Sequence, residues 1–317
     1  MKILVTGAFG FLGGRIAQYL SNSANTVILG SGREINSPEW LPGVKTIEME
    51  WEKYSSLEKI CENVDVIIHC AGVNAQDCQL DPVNALKYNG LYTSRLVEAA
   101  KESKVSTFIY LSTAHVYSAP LKGTITDSKC PENLHPYATS HLAGEQSVLY
   151  AGLNSNMTGT VLRVTNCFGQ PVHKEANCWM LLVNDLCRQA VEEKLLTLRS
   201  NGKQLRDFIS IKSLCEKIQF LLSSKDAQRD NNSFVLNVSS GESMQISAMA
   251  VLIQERCEKI LGYKPDLKIN TKDTSIYNQD LTIVPSENIK NYGEPDNKVH
   301  ELDELLAFCY KHFSERN

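Results

Sequence analysis

Apolar residues in the first half of the 317-residue chain alternate between short β-branched runs and longer segments with helical spacing. The spacing predicts strands at Ile3–Val5, Thr26–Leu29, Val44–Ile47, Asp65–His69, Thr107–Leu111 and Thr160–Val164, and helices near 11–21, 55–62, 82–102 and 136–152. Strands that alternate with helices form right-handed crossovers and a parallel sheet with helices on both faces. The pattern therefore predicts an α/β fold with a doubly wound parallel sheet.

The pattern loosens after about residue 165. It predicts a helix over Trp179–Lys194, strand-like segments at Leu205–Ile211 and Phe234–Val238, and a terminal helix at 301–313. We expect one domain over residues 1–165, with segments near 205–240 returning to its sheet. Residues 166–317 should then form mainly a smaller C-terminal lobe.

The turn between the first strand and first helix is rich in glycine. In Thr6-Gly7-Ala8-Phe9-Gly10-Phe11-Leu12-Gly13, Gly7 allows a tight turn, Gly10 lets phosphates approach the backbone, and Gly13 lets the helix pack on the strand. The free N–H groups of the helix start then face the anion. The turn predicts a Rossmann dinucleotide-binding domain, with cofactor contacts from Gly7, Phe9, Gly10, Phe11, Leu12 and Gly13.

Charge and composition narrow the class of partner. The chain carries 32 basic and 36 acidic residues, and no basic cluster suggests nucleic acid or a membrane surface. The first strand leaves no room for a signal peptide, and no apolar run approaches the roughly 20 residues that span a bilayer. We expect a cytoplasmic protein with a small-molecule ligand. The ten cysteines lack metal-ligand spacing, so we expect free thiols and no metal.

The chain resembles the extended short-chain dehydrogenase/reductase family, in particular its nucleotide-sugar epimerase, dehydratase and 4-ketoreductase group. The resemblance covers about residues 1–240 and rests on motifs in the family's order. These are the glycine-rich turn, the Asp65–Gly72 segment, Asn89, Ser112-Thr113 ahead of Val116-Tyr117, Tyr137, Leu162-Arg163-x-x-Asn166-x-x-Gly169 and Arg206-Asp207-Phe208-Ile209.

The resemblance implies that Tyr137 is the general acid/base and that Thr113 hydrogen-bonds the same substrate oxygen. Four residues after Tyr137, where the family has Lys, this chain has His141, on the same helix face. A His with a pKa of about 6.5 is mostly neutral at pH 7, whereas a Lys is cationic. We expect slower chemistry, an unusual pH profile or a cofactor that stays bound. The alternative is a dinucleotide-binding protein with little or no turnover.

His115 is a second candidate acid/base. The family's 4,6-dehydratases have Asp-Glu after the matching Thr, whereas this chain has Ala114-His115, which argues against dehydration. The resemblance implies that His115 can remove a proton alpha to a sugar ketone, work that suits its ordinary pKa. The alternative is a structural, hydrogen-bonded histidine.

Residues after the second and third strands bear on the choice of cofactor. The end of the second strand has no acid and supplies Arg33, which favours NADP over NAD. Glu50 matches the family's acidic contact to adenine. Other cofactor positions implied by the resemblance are Cys70, Ala71, Gly72, Asn89, Tyr137, His141 and Thr165.

The resemblance implies that Asn166, Asn177 and Arg206 bind substrate. Arg206 suits a diphosphate, or it pairs with Asp207; Asn177 is a helix cap or a ligand; Trp179 is core or stacks on a base. We therefore expect an NAD(P)-dependent 4-ketoreductase or epimerase of a nucleotide-activated sugar, with a reductase of a non-nucleotide ketone as a further alternative. The family also implies a homodimer that pairs the 82–102 and 136–152 helices.

Overall fold

A seven-stranded parallel sheet forms the centre of the protein, in a computed structural model that describes residues 1–32, 36–223, 233–277, 280–290, 292 and 296–314. Its strands are β1 (Lys2–Thr6), β2 (Thr26–Ser31), β3 (Lys45–Glu48), β4 (Val66–His69), β5 (Thr107–Thr113), β7 (Thr158–Val164) and β11 (Ser233–Val238). Their order across the sheet is β11-β7-β5-β4-β1-β2-β3. The chain reverses its winding direction between β1 and β4, and the doubly wound fold is confirmed.

Smaller sheets extend the molecule beyond this core. One has the order β12-β10-β8, and two strand pairs are β13 with β9 and β14 with β6. The strands are β6 (Gly123–Ile125), β8 (Asn166–Phe168), β9 (Leu195–Leu198), β10 (Leu205–Ser210), β12 (Ser243–Gln245), β13 (Asp266–Ile269) and β14 (Leu281–Ile283). Thus β11 joins the main sheet, whereas β10 does not.

Helices cover both faces of the main sheet, and others lie in the C-terminal region of the chain. They are α1 (Phe11–Ser21), α2 (Tyr54–Cys61), α3 (Ala75–Leu80), α4 (Pro82–Ala85), α5 (Thr93–Glu102), α6 (Pro136–Leu153), α7 (Leu182–Glu192), α8 (Ile211–Ser223), α9 (Ile246–Leu261) and α10 (Lys298–Phe313). A π-helical segment, Leu86–Tyr92, joins α4 to α5, so the helix expected over 82–102 is continuous but irregular. The sequence pattern missed α8 and α9.

Burial on both faces explains the continuous apolar runs of the central strands. In β1, Ile3 and Val5 pack into the layer that contains α1 and α8, while Leu4 packs into the layer of α2, α5 and α6. A separate apolar cluster joins α7, α9 and α10. In the 82–102 and 136–152 segments, which the family implies pair in a dimer, Leu96, Val97 and Val148 are buried against the sheet, and Leu91 is exposed.

All ten cysteines are free thiols, and seven of them are buried. Across the described ranges, no three His, Cys, Asp or Glu side chains are grouped as a metal site requires. In the same part of the chain, every helix is too short or too polar to cross a membrane.

Candidate active site

The glycine-rich turn is packed tightly on its inner side and open on its outer side. Gly7 has φ +64°, and a Cβ there would lie 2.7 Å from the Ala71 amide nitrogen. A Cβ on Gly13 would lie 2.3 Å from the Gly7 carbonyl oxygen, whereas a Cβ on Gly10 would meet only that oxygen, at 3.2 Å. Because no side chain caps the start of α1, its first N–H groups stay available. This cradle fits a pyrophosphate.

Asn89 connects the segment after β4 to α6. Its Oδ1 accepts a hydrogen bond from the Val73 amide at 2.8 Å, and its Nδ2 donates to Ser140 Oγ at 3.0 Å. A Cβ on Gly72 would come within 3.0 Å of Asn89 Oδ1 and 3.9 Å of His141 Cε1. The Cys70–Gly72 segment thus lies between the glycine-rich turn and His141. The cofactor contacts of Cys70, Ala71, Gly72 and Asn89 stay predictions.

A cavity of about 350 Å³ opens at the carboxyl ends of β5 and β7. It brings together residues that the sequence analysis drew from distant segments. They are Phe11, Leu12, Thr113, His115, Tyr137, Thr165, Asn166, Asn177 and Arg206. The carboxyl edge of a parallel sheet is where open α/β folds bind ligands, so this cavity is the candidate active site.

Tyr137 is positioned by the first turn of α6. His135 is the N-cap of this helix, and its Nδ1 accepts a hydrogen bond from the Tyr137 amide at 3.2 Å. Burial raises the pKa of the Tyr137 phenol, while the side-chain hydrogen bond with Thr113 acts in the opposite direction. The sequence analysis missed this role of His135, although a polar residue ahead of Pro136 is a helix-start signal.

His141 lies beside Tyr137 as the helical spacing predicted. The two ring centroids are 4.6 Å apart, and His141 Nδ1 lies 2.9 Å from the hydroxyl of Tyr110. Burial lowers the pKa of His141 to about 4, so the imidazole is neutral at pH 7. The side chain four residues after Tyr137 therefore carries no positive charge that could stabilise the Tyr137 phenolate.

His115 lies at the cavity wall next to Thr113. Its backbone N–H donates to Thr113 Oγ1 at 3.1 Å, and its carbonyl accepts from Asn133 Nδ2 at 2.6 Å. Burial, then the nearby Arg206 and His135, lower the pKa of His115 to about 4. The expectation of an ordinary pKa for His115 is therefore wrong. The imidazole is neutral at pH 7 and can accept a proton, but it is a weaker base than a histidine with an ordinary pKa.

Arg206 and Asp207 face opposite sides of β10. Asp207 accepts hydrogen bonds from Thr165 Oγ1 at 2.7 Å and from the amides of Ser240 and Gly241 at 3.0 and 2.9 Å. Arg206 points to the cavity, where its nearest partners are the neutral oxygens of Asn166 and Gln204 at 3.5 and 3.3 Å. The alternative that Arg206 pairs with Asp207 is therefore wrong.

A buried ion pair supports the floor of the cavity. Arg163 of β7 bonds Glu145 of α6, with Nη2 and Oε2 2.7 Å apart, and both side chains are buried. Ser112 Oγ donates to Glu145 Oε1 at 2.5 Å, and the Arg163 guanidinium stacks over the Tyr117 ring. Arg163 was predicted only as part of a motif, and its partner was not predicted. Glu145, an acidic residue among the apolar positions of α6, was the available signal of a buried charge.

The structure bears on the alternatives that the sequence left open for Asn177 and Trp179. Asn177 lines the cavity but does not cap α7, whose N-cap is Leu181. Trp179 packs on Phe308 and Phe313 of α10, so it belongs to the core.

The predicted adenine and phosphate contacts are described only in part. Glu50 forms an exposed ion pair with Lys53, which lowers the pKa of the Glu50 carboxyl. Arg33 lies outside the described residues. His173 has its Nε2 3.0 Å from the Phe9 carbonyl oxygen, above the glycine-rich turn.

The chain is similar to known proteins over most of its length. The uncharacterized UDP-glucose epimerase YtcB of Bacillus subtilis is 25% identical over 86% of each chain. The GDP-6-deoxy-D-mannose reductase of Pseudomonas aeruginosa is 27% identical, over 80% of this chain and 79% of the relative. The solved structure of UDP-glucuronic acid 4-epimerase from Bacillus cereus, in complex with UDP-glucuronic acid and NAD, matches with a TM-score of 0.79, 25% identity, and coverage of 98% and 99%. The model of the NAD dependent epimerase/dehydratase family matches residues 3–238. The chain belongs to this family.

Proposed function

We propose that the protein is an NAD(P)-dependent enzyme that changes the configuration at C4 of a nucleotide-activated sugar, with Tyr137 as its acid/base. One observation carries the proposal: Tyr137, Thr113, His115 and Arg206 line the same cavity beside the glycine-rich turn. A phenol, a hydroxyl and a guanidinium in one cavity suit a sugar joined to a diphosphate.

The turn and the Cys70–Gly72 segment would hold the dinucleotide, which supplies hydride transfer when bound. Tyr137 takes or returns the proton of the sugar hydroxyl, and Thr113 holds the same oxygen. Neutral His141 contributes hydrogen bonding in place of the charge that a lysine would supply. His115 acts as the base if the substrate carries an acidic proton alpha to a ketone.

The surroundings of Arg206 support an anionic ligand. Arg206 is partly buried, burial lowers its pKa, and no carboxylate of the described residues pairs with it. A partly buried guanidinium without a carboxylate is stabilised by a bound phosphate. The preceding residue, Leu205, lines a second cavity of about 700 Å³ with Asn201, Lys203 and Tyr277. We assign this cavity to the rest of the nucleotide and the 166–317 region to the substrate-binding lobe.

The sequence and the relatives favour different dinucleotides. The Bacillus cereus enzyme is described with NAD, whereas Arg33 and the missing acid after β2 favour NADP. Separate titrations with NADH and NADPH, followed by their fluorescence, decide between them. A second titration with Arg33→Ala tests whether this side chain carries any preference for NADPH. The cytoplasmic location stays a prediction from the sequence.

We also propose a homodimer. The helical segment from α3 to the π-helix exposes Leu80, Val83, Leu86 and Leu91, and α6 exposes Tyr150 and Leu153. A second copy that packs on this face would bury these side chains. Sedimentation should give a dimer, and Val83→Glu combined with Leu86→Glu should give a monomer. A wild-type monomer at micromolar concentration would contradict this part of the proposal.

The function is tested with UDP-glucose, UDP-glucuronic acid and UDP-N-acetylglucosamine, each incubated with NAD⁺ in D₂O and followed by proton NMR. We expect a 4-epimer from at least one of them, formed by wild type and not by Tyr137→Phe. Deuterium on carbon would show that a proton alpha to a ketone is removed, the step for which His115 is the proposed base, and its absence leaves the proton chemistry to Tyr137.

A parallel incubation of NADPH with a nucleotide 4-keto sugar tests the reductase form of the proposal. The neutral His141 favours the competing possibility, a dinucleotide-binding protein without turnover. Dinucleotide binding with no product from wild type or His141→Lys, in any of these incubations, would establish that alternative.

A further inference from the structure

Tyr110 of β5 contacts the residue that replaces the family's lysine. Its side chain is buried, its hydroxyl lies 2.9 Å from His141 Nδ1, and its ring stacks on the His141 ring with centroids 5.8 Å apart. A Cβ on Gly144 would meet the same hydroxyl at 2.8 Å. The absence of a side chain at Gly144 thus lets Tyr110 reach His141.

The hydrogen bonds around Tyr110 set the direction of its proton. The Asn89 carbonyl oxygen is 3.4 Å from the Tyr110 hydroxyl and already accepts from Thr93 Oγ1 at 2.8 Å. His141 Nδ1 is the closer acceptor, at 2.9 Å. Because a phenol has only one proton, the shorter contact makes Tyr110 the donor and His141 Nδ1 the acceptor.

The neighbouring histidine gives an internal reference. Thr93 Oγ1 uses its proton on Asn89, so it accepts from His69 Nε2 at 3.0 Å. His69 Nδ1 then accepts from Thr6 Oγ1, 2.6 Å away. His69 is therefore held with its proton on Nε2 by Thr93 and Thr6, and the Tyr110 ring stacks on the His69 ring with centroids 5.5 Å apart.

We propose that Tyr110 is a positioning residue that holds neutral His141 with its proton on Nε2. The inference rests on the proposed function, in which His141 replaces a lysine that donates to the dinucleotide. With Nδ1 bonded to Tyr110, Nε2–H is the remaining donor, and within the described residues it has no acceptor. The adjacent Cε1 faces Gly72, at 3.9 Å from where a Cβ of Gly72 would lie. His141 thus keeps a lysine-like hydrogen-bond donor without the charge.

The tautomer is measured without any substrate, by NMR of protein labelled with ¹⁵N-histidine at pH 7.5, alone and with NAD⁺. The variants His141→Gln and His69→Gln assign the imidazole ¹⁵N signals of these two histidines. We expect both histidines to carry the proton on Nε2 in wild type. In Tyr110→Phe, His69 should keep its proton on Nε2, and the His141 signals should move toward a mixture of tautomers. A proton on Nδ1 of His141 in wild type, or unchanged His141 signals in Tyr110→Phe, would overturn the proposal.

Turnover gives a second readout that separates positioning from structure. Tyr110→Phe should lower kcat on the order of tenfold in the His141 background and by less than about twofold in the His141→Lys background, because lysine has no tautomer to hold. The matched control is Tyr54→Phe, which removes a surface hydrogen bond to Glu102. Equal losses in both backgrounds would indicate only a packing role for Tyr110. If no substrate is turned over, the proposed function fails while the NMR result still tests the tautomer.

Discussion

The rings of Tyr137 and His141 meet edge to face on α6, with centroids 4.6 Å apart and planes at 72°. This contact places a neutral imidazole beside the proposed acid/base, whose pKa burial raises. A chain with this arrangement lacks the charge that would stabilise the phenolate.

His141→Lys should therefore make the phenol more acidic. A cation within 4 to 6 Å lowers the pKa of such a group by about one to three units. We expect the limb of the kcat–pH profile that reports Tyr137 to move to lower pH by at least about one unit, with higher kcat near neutral pH. The neutral His141→Gln variant is the control. Identical profiles for the Lys and Gln variants would contradict the argument.

Tyr137→Phe should remove proton transfer and preserve the ring contact with His141. General acid/base catalysis contributes about 10²- to 10⁴-fold, so kcat should fall within that range. The dissociation constant of NADH, measured by fluorescence, should change little. Tyr54→Phe serves as the control, and retention of wild-type kcat by Tyr137→Phe would remove this residue from the mechanism.

Glu145→Gln should destabilise the fold. Removing one partner of a buried ion pair leaves an unpaired charge, here on Arg163, and costs about 3–5 kcal/mol in the free energy of unfolding. Urea denaturation measures the change. Lys53→Ala, which breaks the exposed pair with Glu50, should have a much smaller effect. A similar loss in the free energy of unfolding in both variants would mean that the buried Glu145–Arg163 pair stabilises the fold no more than the exposed pair does.

Gly13→Ala should impair dinucleotide binding. The added Cβ would lie 2.3 Å from the Gly7 carbonyl oxygen, so the turn must open and its N–H groups must move. We expect NADH binding to weaken by more than about tenfold. In Gly262→Ala, where φ is +78° and no atom lies within 4 Å of the new Cβ, stability should fall but NADH binding should persist. Normal binding by Gly13→Ala would contradict the predicted cradle.

Stability should decrease as the pH falls below about 6.5, the unfolded-state pKa of histidine. Burial lowers the folded-state pKa of His69 to about 3 and that of His141 to about 4. The unfolded state thus binds more protons between pH 6.5 and 4, and protonation favours unfolding. Urea denaturation at pH 7.5, 6.0 and 5.0 should show the decrease, and His69→Gln should reduce it.

Protonation of Glu301 changes the stability in the opposite direction to protonation of the two histidines. Burial raises its pKa to about 7, so the folded state binds the extra proton, and this contribution to stability is lost as the pH rises from about 4.5 to 7. Glu301→Gln should therefore steepen the decrease on acidification. A flatter pH dependence in Glu301→Gln would contradict the assigned direction.

Local patterns were sufficient for the parallel sheet and its first helices, and the family resemblance for most of the residues that meet at the cavity. Buried strands such as β1 are apolar on both faces, and the glycine-rich turn has a fixed place between β1 and α1. The contacts that surround His141 were not predictable in the same way. Tyr110 lies 31 residues from His141 in sequence, and its phenol was indistinguishable from an ordinary core residue of β5.

Long-range pairing also explains the other misses. The start of α7 was placed three residues early because Trp179, apolar like the helix that follows, packs on α10 instead. The Glu145–Arg163 pair joins α6 to β7, so neither segment alone shows which residue its charged side chain pairs with.

The opposite orientations of Arg206 and Asp207 have a consequence for how this protein can diversify. Asp207 anchors neighbouring loops through Thr165, Ser240 and Gly241, and Arg206 takes no part in that anchoring. A replacement at position 206 can consequently retune which ligand is accepted while the scaffold beneath it is retained. On this strand, ligand selectivity and the stability of the fold depend on different, adjacent residues, so each can evolve without the other.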